Sequence, residues 1–139
     1  MMKKMLNISM LMMAMLFAAN ATACGMGEQM DGYENATAKH AHEHWQAGSN
    51  SPIPFVFLDV RTVEEYAEGH VDGSLLIPVQ ELEGRLSEVP KDKRVYLYCR
   101  SGKRSTAAAR ILVKAGFTNI ENIEGGINAW KDAGYPVVK

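Results

Sequence analysis

Phe55-Val56-Phe57-Leu58 and Val95-Tyr96-Leu97-Tyr98 are continuous apolar runs, and each passes through a few polar residues into a helical pattern. Short unbroken apolar runs of this kind are strands buried on both faces. After the first run, Thr62-Val63-Glu64-Glu65 is a capping box that opens a helix, and Gly69 supplies its stop. After the second, residues 105–115 form an alanine-rich helix pattern ended by Gly116. The remaining segments fit the same alternation. A helix is expected over 36–47, ended by Gly48-Ser49-Asn50-Ser51-Pro52, a short strand over 74–77 closed by Pro78, and a short helix over 80–86 weakened by Gly84. Residues 120–123 make another strand, Glu124-Gly125-Gly126 a turn, and 127–133 the last helix, ended by Gly134-Tyr135-Pro136. Alternating strands and helices imply an α/β fold: a small, mostly parallel sheet with helices on both faces. Such folds gather ligands at the carboxyl ends of their strands, where Asp59, Arg61 and Cys99 lie.

The amino-terminal region belongs to a different category. Lys3 and Lys4, the apolar stretch 10–19 and the small residues Ala21 and Ala23 read as a secretory signal peptide over 1–23, too short to span a bilayer comfortably. Periplasmic or other export is therefore expected, with residues 24–35 a flexible leader and 36–139 a single domain. Cys24 would be the first mature residue. It is either an ordinary free thiol near the end of the chain or the acylated cysteine of a lipoprotein, and a membrane association follows only in the second case. Without Lys3 and Lys4, thirteen basic residues face sixteen acidic ones, and no basic stripe exists to hold nucleic acid. With Cys24 and Cys99 as the only cysteines, no disulfide framework is expected.

Cys99 ends a strand run and is followed by Arg100-Ser101-Gly102-Lys103-Arg104-Ser105. A cysteine at such a strand-loop-helix mouth faces loop N–H groups and the positive end of the next helix, and both favour the thiolate. Arg100, Lys103 and Arg104 add positive charge, and Gly102 permits a tight curl in which successive N–H groups form an anion nest. Arg61 either binds substrate or pairs with a carboxylate such as Glu65. His70 reads as a hydrogen-bonded structural histidine. His40, His42 and His44 read as solvent-facing helix residues, since only His40 and His44 share a helical face and no carboxylate or cysteine pattern completes a metal site. Trp130 reads as a core anchor of the last helix.

The stretches Asp59-Val60-Arg61-Thr62-Val63-Glu64-Glu65-Tyr66-Ala67-Glu68-Gly69-His70-Val71-Asp72-Gly73-Ser74 and Tyr98-Cys99-Arg100-Ser101-Gly102-Lys103-Arg104-Ser105, with Gly125-Gly126-Ile127-Asn128-Ala129-Trp130, resemble a single-domain rhodanese. The resemblance runs over about 36–138. It implies a rhodanese-like fold and a sulfurtransferase in which Cys99 takes the outer sulfur of an anionic donor such as thiosulfate. Cys99 then holds that sulfur as a persulfide and passes it to cyanide or a thiol. Residues 100–105 would cradle the sulfur, Arg61 would assist, and no metal or organic cofactor is required. The cell-cycle dual-specificity phosphatases share this fold but place five residues between cysteine and arginine; here there are four between Cys99 and Arg104. The shorter cradle suits a sulfur atom or thiosulfate better than a phosphate ester, which leaves phosphatase or arsenate reductase chemistry as the lesser alternative. A non-catalytic binding module on the same fold is the other, and an intact cysteine in a cationic loop argues against it.

Overall fold

The computed structural model describes residues 32–139. The expected signal segment, Cys24 and the expected leader up to residue 31 lie outside the described residues. Within them the elements run β1 (Glu34–Ala36), α1 (Ala38–Ala47), β2 (Phe55–Asp59), α2 (Val63–Glu68), β3 (Leu75–Leu76), β4 (Arg94–Tyr98), α3 (Lys103–Lys114), β5 (Ile120–Ile123) and α4 (Gly126–Asp132). The strands form one sheet in the order β1-β5-β4-β2-β3, and every pairing within it is parallel.

The two apolar runs occupy the middle of the sheet, as unbroken hydrophobicity requires. Consecutive residues of β2 and β4 divide between two cores. Leu58, Val95 and Leu97 pack with Ala108, Ala109 and Leu112 of α3 on one face. Phe57, Tyr96 and Tyr98 pack with Ala41 of α1 and Ile127 and Trp130 of α4 on the other. Period-two alternation sends neighbours to opposite faces, so a strand covered on both faces must be apolar throughout. Trp130 is 1 % exposed and donates its ring N–H to the Pro136 carbonyl at 2.8 Å, which anchors α4 and the chain after it.

Beyond shifts of one residue at the ends of β3 and α4, the structure departs from the sequence reading in three places. Residues 34–36, at the junction of the expected leader and domain, form an edge strand against β5, and Tyr33 is already in the core. The helix expected from residue 36 accordingly starts at Ala38, with the Thr37 hydroxyl accepting from the His40 N–H at 3.1 Å. A three-residue edge strand has too short a pattern to show a period. The helix expected over 80–86 is instead two 3₁₀ turns, Leu82–Gly84 and Leu86–Glu88, tighter pieces that follow where Gly84 weakens an α-helix. Finally, α3 begins two residues early, at Lys103, so it reaches into the cysteine loop itself.

Candidate active site

Cys99 follows directly on the last residue of β4, and only Arg100, Ser101 and Gly102 separate it from α3. The chain turns this sharply because Gly102, the N-cap of α3, adopts a left-handed φ of 111° that a residue with a side chain rarely takes. The Gly102 N–H then donates to the Cys99 Sγ at 3.0 Å. The backbone carbonyls on the other side of the loop are drawn away from the sulfur. Cys99 O accepts from the Ile127 N–H at 2.9 Å and Arg100 O from the Asn128 N–H at 3.1 Å, both in the first turn of α4. This clasp requires Gly126, because a Cβ there would lie 2.8 and 2.9 Å from the Arg100 carbonyl and closer still to Cys99 O.

Cys99 is 1 % exposed. Burial alone would push its thiol up, but hydrogen bonding from the Ser105 hydroxyl and from the N–H groups of Ser105, Gly102 and Ser101 outweighs it and holds the thiol below its ordinary value. The Ser105 hydroxyl and the loop N–H groups together favour the thiolate of Cys99.

The charged residues are distributed differently from the sequence expectation. Arg104 does not face the loop as a free cation: its guanidinium makes a two-pronged pair with the Glu65 carboxylate at 2.7 and 2.8 Å. Glu65 also closes the capping box of α2, accepting from the Thr62 N–H at 3.0 Å. The Arg104 hydrogen bond, opposed by partial burial and supported by Thr62, holds the Glu65 carboxyl down to about 2. Arg61 does pair with a carboxylate, as one of its two readings had it, but with Asp59 rather than Glu65. It is 4 % exposed, forks onto Asp59 at 2.6–3.1 Å and donates to the Gly69 carbonyl at 2.8 Å. Its guanidinium therefore orders the junction of β2 and α2 from the wall of the site. Arg100, Ser101 and Lys103 are exposed. Among the described residues, Arg100 and Lys103 have no ion-pair partner, so they are the cations left to meet an incoming anion.

The histidines are structural, and not all as expected. His70 Nδ1 lies 2.9 Å from the Tyr66 carbonyl and its ring stacks on Tyr66 at 3.6 Å. The three histidines of α1 are half-buried rather than freely solvent-facing, and each meets a partner. His44 Nδ1 is 2.7 Å from the Tyr96 hydroxyl, His40 Nε2 is 3.5 Å from a Glu121 carboxylate oxygen, and His42 stacks on Tyr135 at 3.7 Å. Short imidazoles over a sheet rich in aromatics are partly covered by their neighbours. Among the described residues no group of three or more His, Cys, Asp or Glu side chains could hold a metal ion. Glu65, Asn128 and Lys131 stand at the site without having been singled out as site residues in the sequence; Glu65 was marked by its capping box and Asn128 fell within the Gly125–Trp130 stretch, whereas nothing local marks Lys131.

Comparison with known proteins agrees with the geometry. The model of the rhodanese-like domain matches residues 37–133. A sulfurtransferase of Allochromatium vinosum is 41 % identical over 83 residues, covering 60 % of this chain and 78 % of that protein. The thiosulfate sulfurtransferase PspE of Escherichia coli is 37 % identical over 101 residues, covering 71 % and 82 %. The crystal structure of a rhodanese-related protein from Thermoplasma volcanium superposes with a TM-score of 0.66 at 35 % identity, over 75 % of this chain and 96 % of that one. A buried cysteine in a backbone cradle at the end of a central parallel strand, on a chain so matched along most of its length, places this protein in the rhodanese-like family.

Proposed function

We propose that this protein is a sulfurtransferase that moves a sulfane sulfur from thiosulfate, through a Cys99 persulfide, to a thiophilic acceptor such as cyanide or a thiol. The observation that carries the reading is the Gly102 N–H at 3.0 Å from a buried Cys99 Sγ whose thiol is held low despite burial. A thiolate is the required nucleophile, and it is stabilised here without a neighbouring base. It attacks the outer sulfur of thiosulfate; a new S–S bond forms, the old one breaks, and its electron pair leaves with sulfite. The loop N–H groups that held the thiolate are then placed to hold the charged persulfide, and cost no reorganisation in doing so. Attack of cyanide on the outer sulfur gives thiocyanate and regenerates the thiolate.

Engagement of Arg104 by Glu65 favours this reading over phosphate chemistry. A phosphate ester needs a guanidinium free to meet its equatorial oxygens, whereas this one is engaged by the Glu65 carboxylate. Export belongs to the same proposal and rests on the pattern of residues 1–23.

Incubation of the reduced protein with thiosulfate is expected to add the mass of one sulfur atom to Cys99, removed again by cyanide. The Cys99→Ser protein should stay folded and gain nothing. An unchanged mass on a demonstrably reduced thiol overturns the donor chemistry. The same spectrum, taken on protein from the native host, reads the mature amino terminus: a chain beginning at Cys24, free or acylated, is the expected result, and an intact residue 1 overturns export.

A further inference from the structure

Beside the cysteine loop lies a cleft of about 130 Å³ between the end of α2 and the outer face of α4. Arg100 and Ile127, both joined to the loop by backbone, form its near wall. Arg61 and Glu65 also line it, but each is already paired within the protein, with Asp59 and Arg104. The groups left over are Arg100 and Lys131, Glu68 and the Asn128 amide. Among the described residues none of the three charged groups has an ion-pair partner. Thiosulfate, an anion with no positive group, would use the two cations and find Glu68 repulsive. The opposed charges match a small molecule that bears both a carboxylate and an ammonium group.

We propose that this cleft is an acceptor subsite for a small zwitterionic thiol of the amino-acid class, its carboxylate met by Arg100 and Lys131 and its ammonium by Glu68. The proposal rests on the sulfurtransferase reading and specifies its second half. The bound thiolate attacks the outer sulfur of the Cys99 persulfide. The bond between that sulfur and Sγ breaks, its electron pair returns to Sγ, and the acceptor departs as its own persulfide. No oxidant or reductant enters, and charge is conserved. Binding through the remote charged groups holds the acceptor thiol beside the loop, the kind of positioning that raises the rate without touching the reacting atoms.

The test separates loading from discharge. Cys99 is loaded with thiosulfate or, should that fail, with polysulfide, and freed of excess. Discharge is then followed by mass with free cysteine, its N-acetyl derivative, its methyl ester and cyanide, with each thiol rate corrected to thiolate concentration. Free cysteine is expected to be fastest of the thiols, by about threefold to fivefold over each derivative, as partly solvated ion pairs allow. Glu68→Gln should remove its advantage over the N-acetyl form and Lys131→Gln its advantage over the ester. Glu68→Gln should load normally, and both variants, once loaded, should discharge to cyanide at the parent rate. Equal corrected rates for the three thiols, or a preference that survives both substitutions, overturns the subsite and leaves the sulfurtransferase reading intact. Failure of thiosulfate to load, with normal discharge after polysulfide, overturns the donor and leaves the subsite standing. Failure to form a persulfide by either route overturns both.

Discussion

The Gly102 carbonyl is oversubscribed. It accepts from the Thr106 N–H at 3.1 Å, the Thr106 hydroxyl at 2.8 Å and the Ser105 hydroxyl at 3.1 Å, whereas an amide oxygen has two lone pairs. Of the three donors, the fully buried Ser105 hydroxyl is the one with a second acceptor, the Cys99 sulfur, and it is the strongest of the influences that lower the thiol. A hydroxyl that rotates from the carbonyl to the sulfur as charge appears would stabilise the thiolate and leave the carbonyl satisfied. The pH dependence has a fixed sign. The thiolate is present above the thiol's lowered value, so alkylation by iodoacetamide should rise with pH and level off earlier than for an ordinary cysteine. Ser105→Ala should move that midpoint up and slow alkylation at pH 7 by about threefold to tenfold, the net worth of a single hydrogen bond. An unmoved midpoint would mean that the backbone alone sets the thiol.

At the scale of elements, the cysteine loop is held from both flanks. Arg104, in the first turn of α3, ties the loop to α2 through Glu65, and the first turn of α4 takes the loop carbonyls. The N-terminus of α4 has N–H groups with no partner inside its own helix, and the loop supplies acceptors for them. Gly126→Ala would drive a Cβ into the backbone of Cys99 and Arg100 at a residue whose φ is 55°. Backbone cannot give as a side-chain tip can, so either α4 or the loop must shift. The expected cost is about 2–4 kcal/mol in chemical denaturation, with persulfide formation depressed more than tenfold in protein that is still folded. Normal loading in a folded Gly126→Ala protein would show that α4 does not fix the cradle.

At the scale of the whole molecule, the aromatic core beneath α1 closes over the end of the chain. His42 stacks on Tyr135 and lies edge-on to Trp130, and Val138 bridges back to His70. Burial lowers His42, opposed weakly by Glu43, and burial together with the charges of His40 and Arg94 lowers His44. A histidine lowered on folding binds its proton less readily when folded than when unfolded. Its contribution is therefore complete above the unfolded value near 6.5 and is lost as pH falls through the lower folded value. Thermal stability should drop between pH 7 and pH 5, and His42→Phe, which keeps a ring against Tyr135, should lessen that drop by about 2–4 °C. Parallel pH profiles for the two proteins would place the acid sensitivity elsewhere. Local signals carried the central strands, the capping box and the position of Cys99 from sequence to structure, since apolar runs, caps and glycine stops act over a few residues. The bounds of β5 agree to the residue, and those of β4 to within one. Pairings between distant segments were another matter: Glu65 and Arg104 lie 39 residues apart, Tyr96 and His44 lie 52 apart, and neither pair follows from a period or a motif. The sequence alone therefore determined an α/β chain with a cysteine at the end of a buried strand, because continuous hydrophobicity admits no other place for those strands. Only the tertiary structure decided which cations remain open to a ligand. A charge is neutralised by whatever the fold brings beside it, and here the fold couples Arg104 to Glu65 and Arg61 to Asp59 while leaving Arg100, Lys131 and Glu68 facing one cleft.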